Sequence, residues 1–174
     1  MKAIVTGGAG FIGSHLVEFL LNKKIKVTVL DNFSTGRIEN LNNVLNQIEL
    51  IDCDISIKSD WIKYFKNTDW VFHLAALADI VPSIQKPDLY FRANVDGTFN
   101  VLEASRYSKV KRFIYIASSS CYGIPDKYPT PEISKIKPQY PYALTKYLGE
   151  ELVLHWCKVY NLSSLSLRFF NVYG

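Results

Sequence analysis

Apolar residues along this chain fall into short unbroken runs, separated by longer stretches with a helical apolar period. The runs cover residues 2–6, 26–30, 48–52, 70–74, 112–117 and 163–169. Segments such as Ala3-Ile4-Val5 and Val27-Thr28-Val29-Leu30 do not alternate. Continuous runs of this length read as strands covered on both faces. Between them the spacing predicts helices over 12–22, 60–66, 88–108 and 141–160, with a further helix over 38–46. Strands alternating with helices predict crossover connections and a parallel sheet. Right-handed crossovers make this an α/β, doubly wound sheet of the Rossmann type. Residues 123–141 break the rhythm, with Pro125, Pro129, Pro131, Pro138 and Pro141. They predict an ordered but irregular excursion. It lies beyond the carboxyl end of a strand, where open α/β sheets hold their ligands.

Composition narrows the class. A length of 174 residues suits one domain with a sizeable core, and 48% hydrophobic with 21% charged residues is ordinary for a soluble protein. The net charge of +4 comes from 20 basic and 16 acidic residues and is dispersed. Its one dense cluster, Lys109, Lys111 and Arg112, precedes an apolar run and reads as a solvated strand entry. The clustered basic face of a nucleic-acid binder is absent. Cys53, Cys121 and Cys157 are odd in number and far apart, which speaks against a disulfide framework or a metal site. They read as reduced thiols of a cytoplasmic protein. The opening MKAIVTGG enters a strand directly, so no signal peptide is expected. No run of about 18 apolar residues is present to span a membrane.

Residues 6–13 read Thr-Gly-Gly-Ala-Gly-Phe-Ile-Gly, between the first strand and the first helix. Gly7 and Gly8 permit a tight turn, Gly10 lets backbone approach a pyrophosphate, and Gly13 lets the helix pack close to the strand. The free N–H groups of the helix then face the phosphates. Asp31 ends the second strand 18 residues past Gly13, near the usual spacing of about 20. Its carboxylate can accept hydrogen bonds from an adenosine ribose and would repel a 2′-phosphate. The expected cofactor is therefore NAD rather than NADP.

The chain resembles the NAD-dependent nucleotide-sugar epimerase/dehydratase family of extended short-chain dehydrogenases. The resemblance rests on eight motifs in order. They are the glycine turn; Asp31-Asn32-Phe33-Ser34-Thr35-Gly36; Asp54-Ile55; Val71-Phe72-His73-Leu74-Ala75-Ala76; Asn94-Val95-Asp96-Gly97-Thr98; Ser118-Ser119-Ser120-Cys121-Tyr122-Gly123; Tyr142 with Lys146; and Arg168-Phe169-Phe170-Asn171. It implies that Gly7, Gly10, Phe11, Ile12 and Gly13 meet the pyrophosphate and that residues 31–36 wrap the ribose. Asp54 and Ile55 would face the adenine. Leu74, Ala75 and Ala76 would line the groove, with Phe170 also at the cofactor. Ser118, Ser119, Ser120, Tyr142 and Asn171 would meet the substrate. The segment 78–83 would border the sugar. His73 reads as a hydrogen-bonded strand-end residue rather than a general base.

Tyr142 and Lys146 stand four apart at a predicted helix start, on one face. A free tyrosine titrates near ~10, too high for a base at neutral pH. An ammonium about 4 Å away favours the phenolate by about 4 kcal/mol at an effective dielectric of about 20. The pair is therefore expected to lower the phenol's pKa, by up to ~3 units before desolvation opposes it. Ser118 is the expected proton relay, and the resemblance gives Lys146 a contact with the nicotinamide ribose. Family dehydratases place an acidic pair beside this serine, and decarboxylases usually a glutamate. Ser119 and Ser120 carry no carboxylate. The remaining chemistry is reversible oxidation through a transient 4-keto sugar, giving inversion at C4 of a UDP-sugar. Another nucleotide-sugar oxidoreductase, a decarboxylase or a non-catalytic NAD-binding module are the alternatives. Ala78 and Ala93 replace a lysine and an asparagine of some members, which leaves the subfamily open. The helices over 88–108 and 141–160 could pair two copies in a four-helix interface. The chain closes on Asn171-Val172-Tyr173-Gly174, directly after its last strand. It is therefore expected to be the NAD-binding domain (1–174) of a longer enzyme, poorly active without a substrate lobe.

Overall fold

A computed structural model describes residues 1–173. Six strands form one sheet: β1 (Lys2–Thr6), β2 (Lys26–Asp31), β3 (Glu49–Asp52), β4 (Trp70–His73), β5 (Arg112–Ser118) and β6 (Ser164–Phe169). All neighbours are parallel, in the order β3-β2-β1-β4-β5-β6. The order reverses between β1 and β4, and a crevice opens there at the carboxyl ends of the strands. Among the described residues five α-helices flank the sheet: α1 (Phe11–Asn22), α2 (Ile80–Gln85), α3 (Pro87–Phe91), α4 (Gly97–Tyr107) and α5 (Pro141–Tyr160).

The unbroken apolar runs are explained by two cores. On one face Val17 and Leu20 of α1 pack on Ala3, Val5, Val27 and Val29. On the other, Val101 and Leu102 of α4 and Val153 of α5 pack on Ile4, Val71, Phe113 and Tyr115. Each inner strand thus places successive side chains in opposite cores, so both sets are mainly apolar and the buried polar exceptions, such as His73, are hydrogen-bonded. Helix ends follow local chemistry. Pro141 occupies the first turn of α5, where no N–H is needed, and Asn161 closes it at φ 54°.

Three expectations need correction. The helix predicted over 38–46 folds instead as two short 3₁₀ turns, Ile38–Leu41 and Leu45–Gln47. Its four asparagines, Asn40, Asn42, Asn43 and Asn46, compete for backbone hydrogen bonds. The helix predicted over 60–66 is a 3₁₀ turn, Asp60–Phe65, tightened by burial of Trp61 and Phe65. The single helix predicted over 88–108 is α3 and α4 joined by a π-turn at Arg92–Asp96. Helix α2 was not expected at all. Among the described residues no helix is long and apolar enough to cross a membrane, and no acidic, histidine or cysteine cluster could hold a metal ion.

Candidate active site

Two adjoining cavities occupy the crevice, of about 310 and about 590 Å³. Leu74 and Ala76, just past β4, line both. The smaller cavity is built around the glycine turn. Gly7 has φ +70°, and a Cβ there would sit 2.6 Å from the Ala75 nitrogen. The turn out of β1 therefore requires glycine. At Gly13 a Cβ would collide with the Gly7 carbonyl oxygen, so α1 could not start so close to β1. Gly10 differs: a Cβ there meets only the Gly7 oxygen, at 3.3 Å, and the remaining space belongs to the cavity.

Asp31 stands at the end of β2, buried against this turn. Its Oδ2 accepts the Ala9 N–H at 2.9 Å and its Oδ1 the Phe33 N–H at 2.9 Å. The Ala9 carbonyl accepts from the Arg37 N–H and the Asn40 side chain. The loop after β2 is thus clasped onto the glycine turn, with one lone pair left on each Asp31 oxygen. Asn32, Ser34, Thr35, Gly36, Asp54, Ile55 and Ala75, all named from the sequence, line the same cavity, joined by Cys53, Ser56, Leu77, Leu89, Arg92 and Ala93, which were not. The Ser56 hydroxyl is the one buried side-chain polar atom among the described residues with no hydrogen-bond partner. Buried hydroxyls are almost always paired. An unpaired one on this wall, an open cradle at Gly10 and free helix N–H groups together fit a dinucleotide.

Gly13 and Phe33 line neither cavity. Gly13 acts by close packing, and the Phe33 ring is drawn into the core beside α1. Phe11, Ile12 and Phe170, expected at the cofactor, line the larger cavity.

The larger cavity gathers Ser118, Ser119, Ser120, Tyr142, Lys146 and Asn171. Ser118 ends β5 and caps the 3₁₀ turn Ser119–Tyr122, its Oγ accepting the Ser120 N–H at 3.2 Å. A second bond joins its hydroxyl to that of Ser120 at 2.7 Å. Tyr142 and Lys146 come from the first turns of α5. The Tyr142 ring meets Tyr90 edge-on at 6.4 Å. The Lys146 ammonium lies 4.5 Å from the centre of the Tyr115 ring and is buried. The irregular segment 123–140 supplies Pro125, Tyr128, Thr130 and Tyr140 as an outer wall, which sequence spacing did not single out. It is tied back by the Lys137 N–H donating to the Cys121 carbonyl at 2.9 Å.

Electrostatics corrects the expectation for Tyr142. Burial raises its pKa, the Ser118 hydroxyl opposes this, and Tyr140 and Asp79 add to the rise. Burial also drives Lys146 down to about 7, with Glu150 opposing. Desolvation therefore outweighs the attraction that spacing alone suggests. Asp79 stands at φ 129°, outside the usual range for a side-chain-bearing residue, between the cavity residues Ala78 and Ile80.

Supporting residues hold these parts in register. His73 is fully buried between two hydroxyls, Nδ1 2.7 Å from Thr6 Oγ1 and Nε2 2.9 Å from Thr98 Oγ1. Burial, then Lys146, lowers its pKa to about 3, so it is a neutral strut. Asn94, in the π-turn, grips Leu77 twice, at 2.8 and 3.0 Å, and donates to Thr145 Oγ1 at 3.0 Å. That side chain fastens the loop after β4 to α5.

Comparison with known proteins gives a consistent result. The profile of the NAD dependent epimerase/dehydratase family matches residues 3–174. The UDP-glucose 4-epimerase of Mycolicibacterium smegmatis is 36% identical over 182 residues, spanning 100% of this chain and 57% of that protein. The UDP-glucose 4-epimerase of Thermotoga maritima, solved with UDP-glucose, superposes with a TM-score of 0.95 at 36% identity, over 100% of this chain and 57% of that one. The Thermus thermophilus UDP-glucose 4-epimerase, solved with NAD, gives 0.93 at 36% identity, over 100% and 56%. The chain spans about half the length of the relatives it matches.

Proposed function

The chain belongs to the NAD dependent epimerase/dehydratase family, and on that premise we propose that it holds NAD in the smaller cavity and acts on C4 of a UDP-sugar in the larger one. The observation that carries this is the shared wall at Leu74 and Ala76. It brings the groove built around the glycine turn to the cavity where Ser118, Tyr142 and Lys146 meet. The backbone of residues 7–13 and the α1 N-terminus would hold the pyrophosphate, and Asp31 would take the ribose hydroxyls.

NAD, when bound, supplies a reversible hydride acceptor and a positive charge beside the phenol. Tyr142 takes the proton from the C4 hydroxyl as that carbon is oxidised. Ser118 donates to the phenolate that takes this proton, and the protonated form of Lys146 stabilises it through space. The resulting 4-keto sugar turns over in the larger cavity. Tyr142 then returns its proton to the C4 oxygen as the hydride comes back to the other face of that carbon. Elimination of water would need a further acid and base, and Ser119 and Ser120 offer none. The two titrating groups must be opposite in charge to work together. Phenol ionisation raises the pKa of Lys146, so the two titrate as a coupled pair.

The Tyr142→Phe variant of the enzyme tests this. Interconversion of UDP-glucose and UDP-galactose should fall by about 10²–10⁴-fold, with NAD affinity unchanged. Retained turnover would refute the role of Tyr142. On the outer surface, Phe99 and Tyr107 of α4 and Leu154, Val159 and Tyr160 of α5 are exposed. This face suits a second copy paired in a four-helix interface. The three free cysteines suit a reducing cytoplasm.

A further inference from the structure

Glu150 lies one helical turn beyond Lys146 on α5 and is 3% exposed. Arg168 on β6 meets it at 2.6 Å through Nη2, and through Nε at 3.1 Å to each carboxylate oxygen. Ser166 Oγ donates to Glu150 Oε2 at 2.9 Å. The guanidinium does not stop there. Its Nη1 donates to the Tyr122 hydroxyl at 2.8 Å and to the Glu132 carbonyl at 3.2 Å, and the group lies 5.0 Å from the centre of the Tyr122 ring. Tyr122 closes the turn that Ser118 opens, and Glu132 belongs to the outer wall. One ion pair therefore joins α5, β6, the serine turn and the irregular wall. Neither Glu150 nor Arg168 lines a cavity. Buried ion pairs are often replaced by apolar residues without loss of stability, so packing alone does not call for these charges.

The surroundings of Lys146 show what the charge can do. From β4 it faces His73, which is neutral, and from β5 the Tyr115 ring, whose phenol burial holds protonated. On its own helix it has Tyr142, and beyond that the exposed Asp79 acts on Tyr142 rather than on the lysine. Glu150 is the carboxylate that acts on Lys146. We propose that Glu150, clamped by Arg168, is a positioning residue for the Ser118–Tyr142–Lys146 site: it is the buried counter-charge of Lys146 and, through Arg168 and Tyr122, ties α5 to the serine turn. The proposal rests on reading Tyr142 and Lys146 as the chemical pair.

The test is an NMR titration of the Lys146 side chain in this chain, with its resonance assigned by loss in Lys146→Met. The parent should titrate near 7. In Glu150→Gln the midpoint should fall by about 1 unit; an unchanged midpoint in the folded variant overturns the counter-charge. If Glu150→Gln does not fold, the double variant Glu150→Gln/Arg168→Met removes the orphaned guanidinium and is read the same way. Arg168→Lys should leave the midpoint in place but speed amide exchange at Gly123 and Lys137 by about tenfold, roughly one lost hydrogen bond. Unchanged exchange overturns the tie to the turn. These readouts need no turnover. A Tyr142→Phe enzyme that stayed active would sink the proposed reaction while leaving the Lys146 midpoints to be judged separately.

Discussion

At the scale of single residues the site is governed by burial more than by charge pairing. Tyr142 and Lys146 are legible in the sequence, because their four-residue spacing follows a nucleotide-binding half and a serine-rich strand end. Their protonation is not. Spacing suggests a lowered phenol pKa, whereas the folded chain raises it and lowers the lysine to about 7. The cause is burial, for Lys146 beneath the Tyr115 ring of β5, a distant segment of the chain. A stability prediction follows from Lys146. Its folded pKa of about 7 lies below its ordinary 10.5, so between these values the unfolded chain carries a proton that the folded chain lacks. Stability therefore rises with pH through that window, and the full penalty applies below it. Lys146→Met should remove the slope and be more stable at pH 6 by on the order of a few kcal/mol. Denaturant unfolding across pH 6–10 checks this, and parallel curves for parent and variant would contradict it.

At the scale of elements the strands were the most legible part, because burial on both faces imposes unbroken apolar runs. The short helices were not. Helix α2 spans six residues with a proline inside it, and it forms because Ser83 is buried and bonds back to Ile80. The π-turn is equally silent in the sequence. Its reason is Asn94, which the extra residue swings inward to reach Leu77 and Thr145. Asn94→Ala should cost about 1–3 kcal/mol by leaving these groups unpaired. It should also loosen the cavity wall at Leu77, seen as faster amide exchange there. A variant as stable as the parent, with Leu77 equally protected, would show that the loop holds itself. Gly149 is a second quiet constraint: a Cβ there would strike the Tyr115 hydroxyl, which donates to the Lys146 carbonyl.

At the scale of the whole molecule, the parallel, doubly wound sheet follows from alternation and handedness and was readable in advance, whereas its strand order is seen only in the folded chain. The division of the crevice into two cavities was not readable either, since it depends on the segment 123–140 and on α2. It also sets Phe11, Ile12 and Phe170 along the larger cavity. The exposed faces of α4 and α5 predict a dimer, which sedimentation equilibrium would report as twice the chain mass; a monomer at micromolar concentration would count against that face as an interface. The central claim is inversion at C4 by oxidation and return, with Tyr142 moving the proton. Turnover of UDP-[4-²H]glucose by the enzyme in deuterium-free water tests it most directly. The account predicts UDP-galactose that keeps its deuterium at C4, whereas product with C4 deuterium washed out into solvent would contradict it.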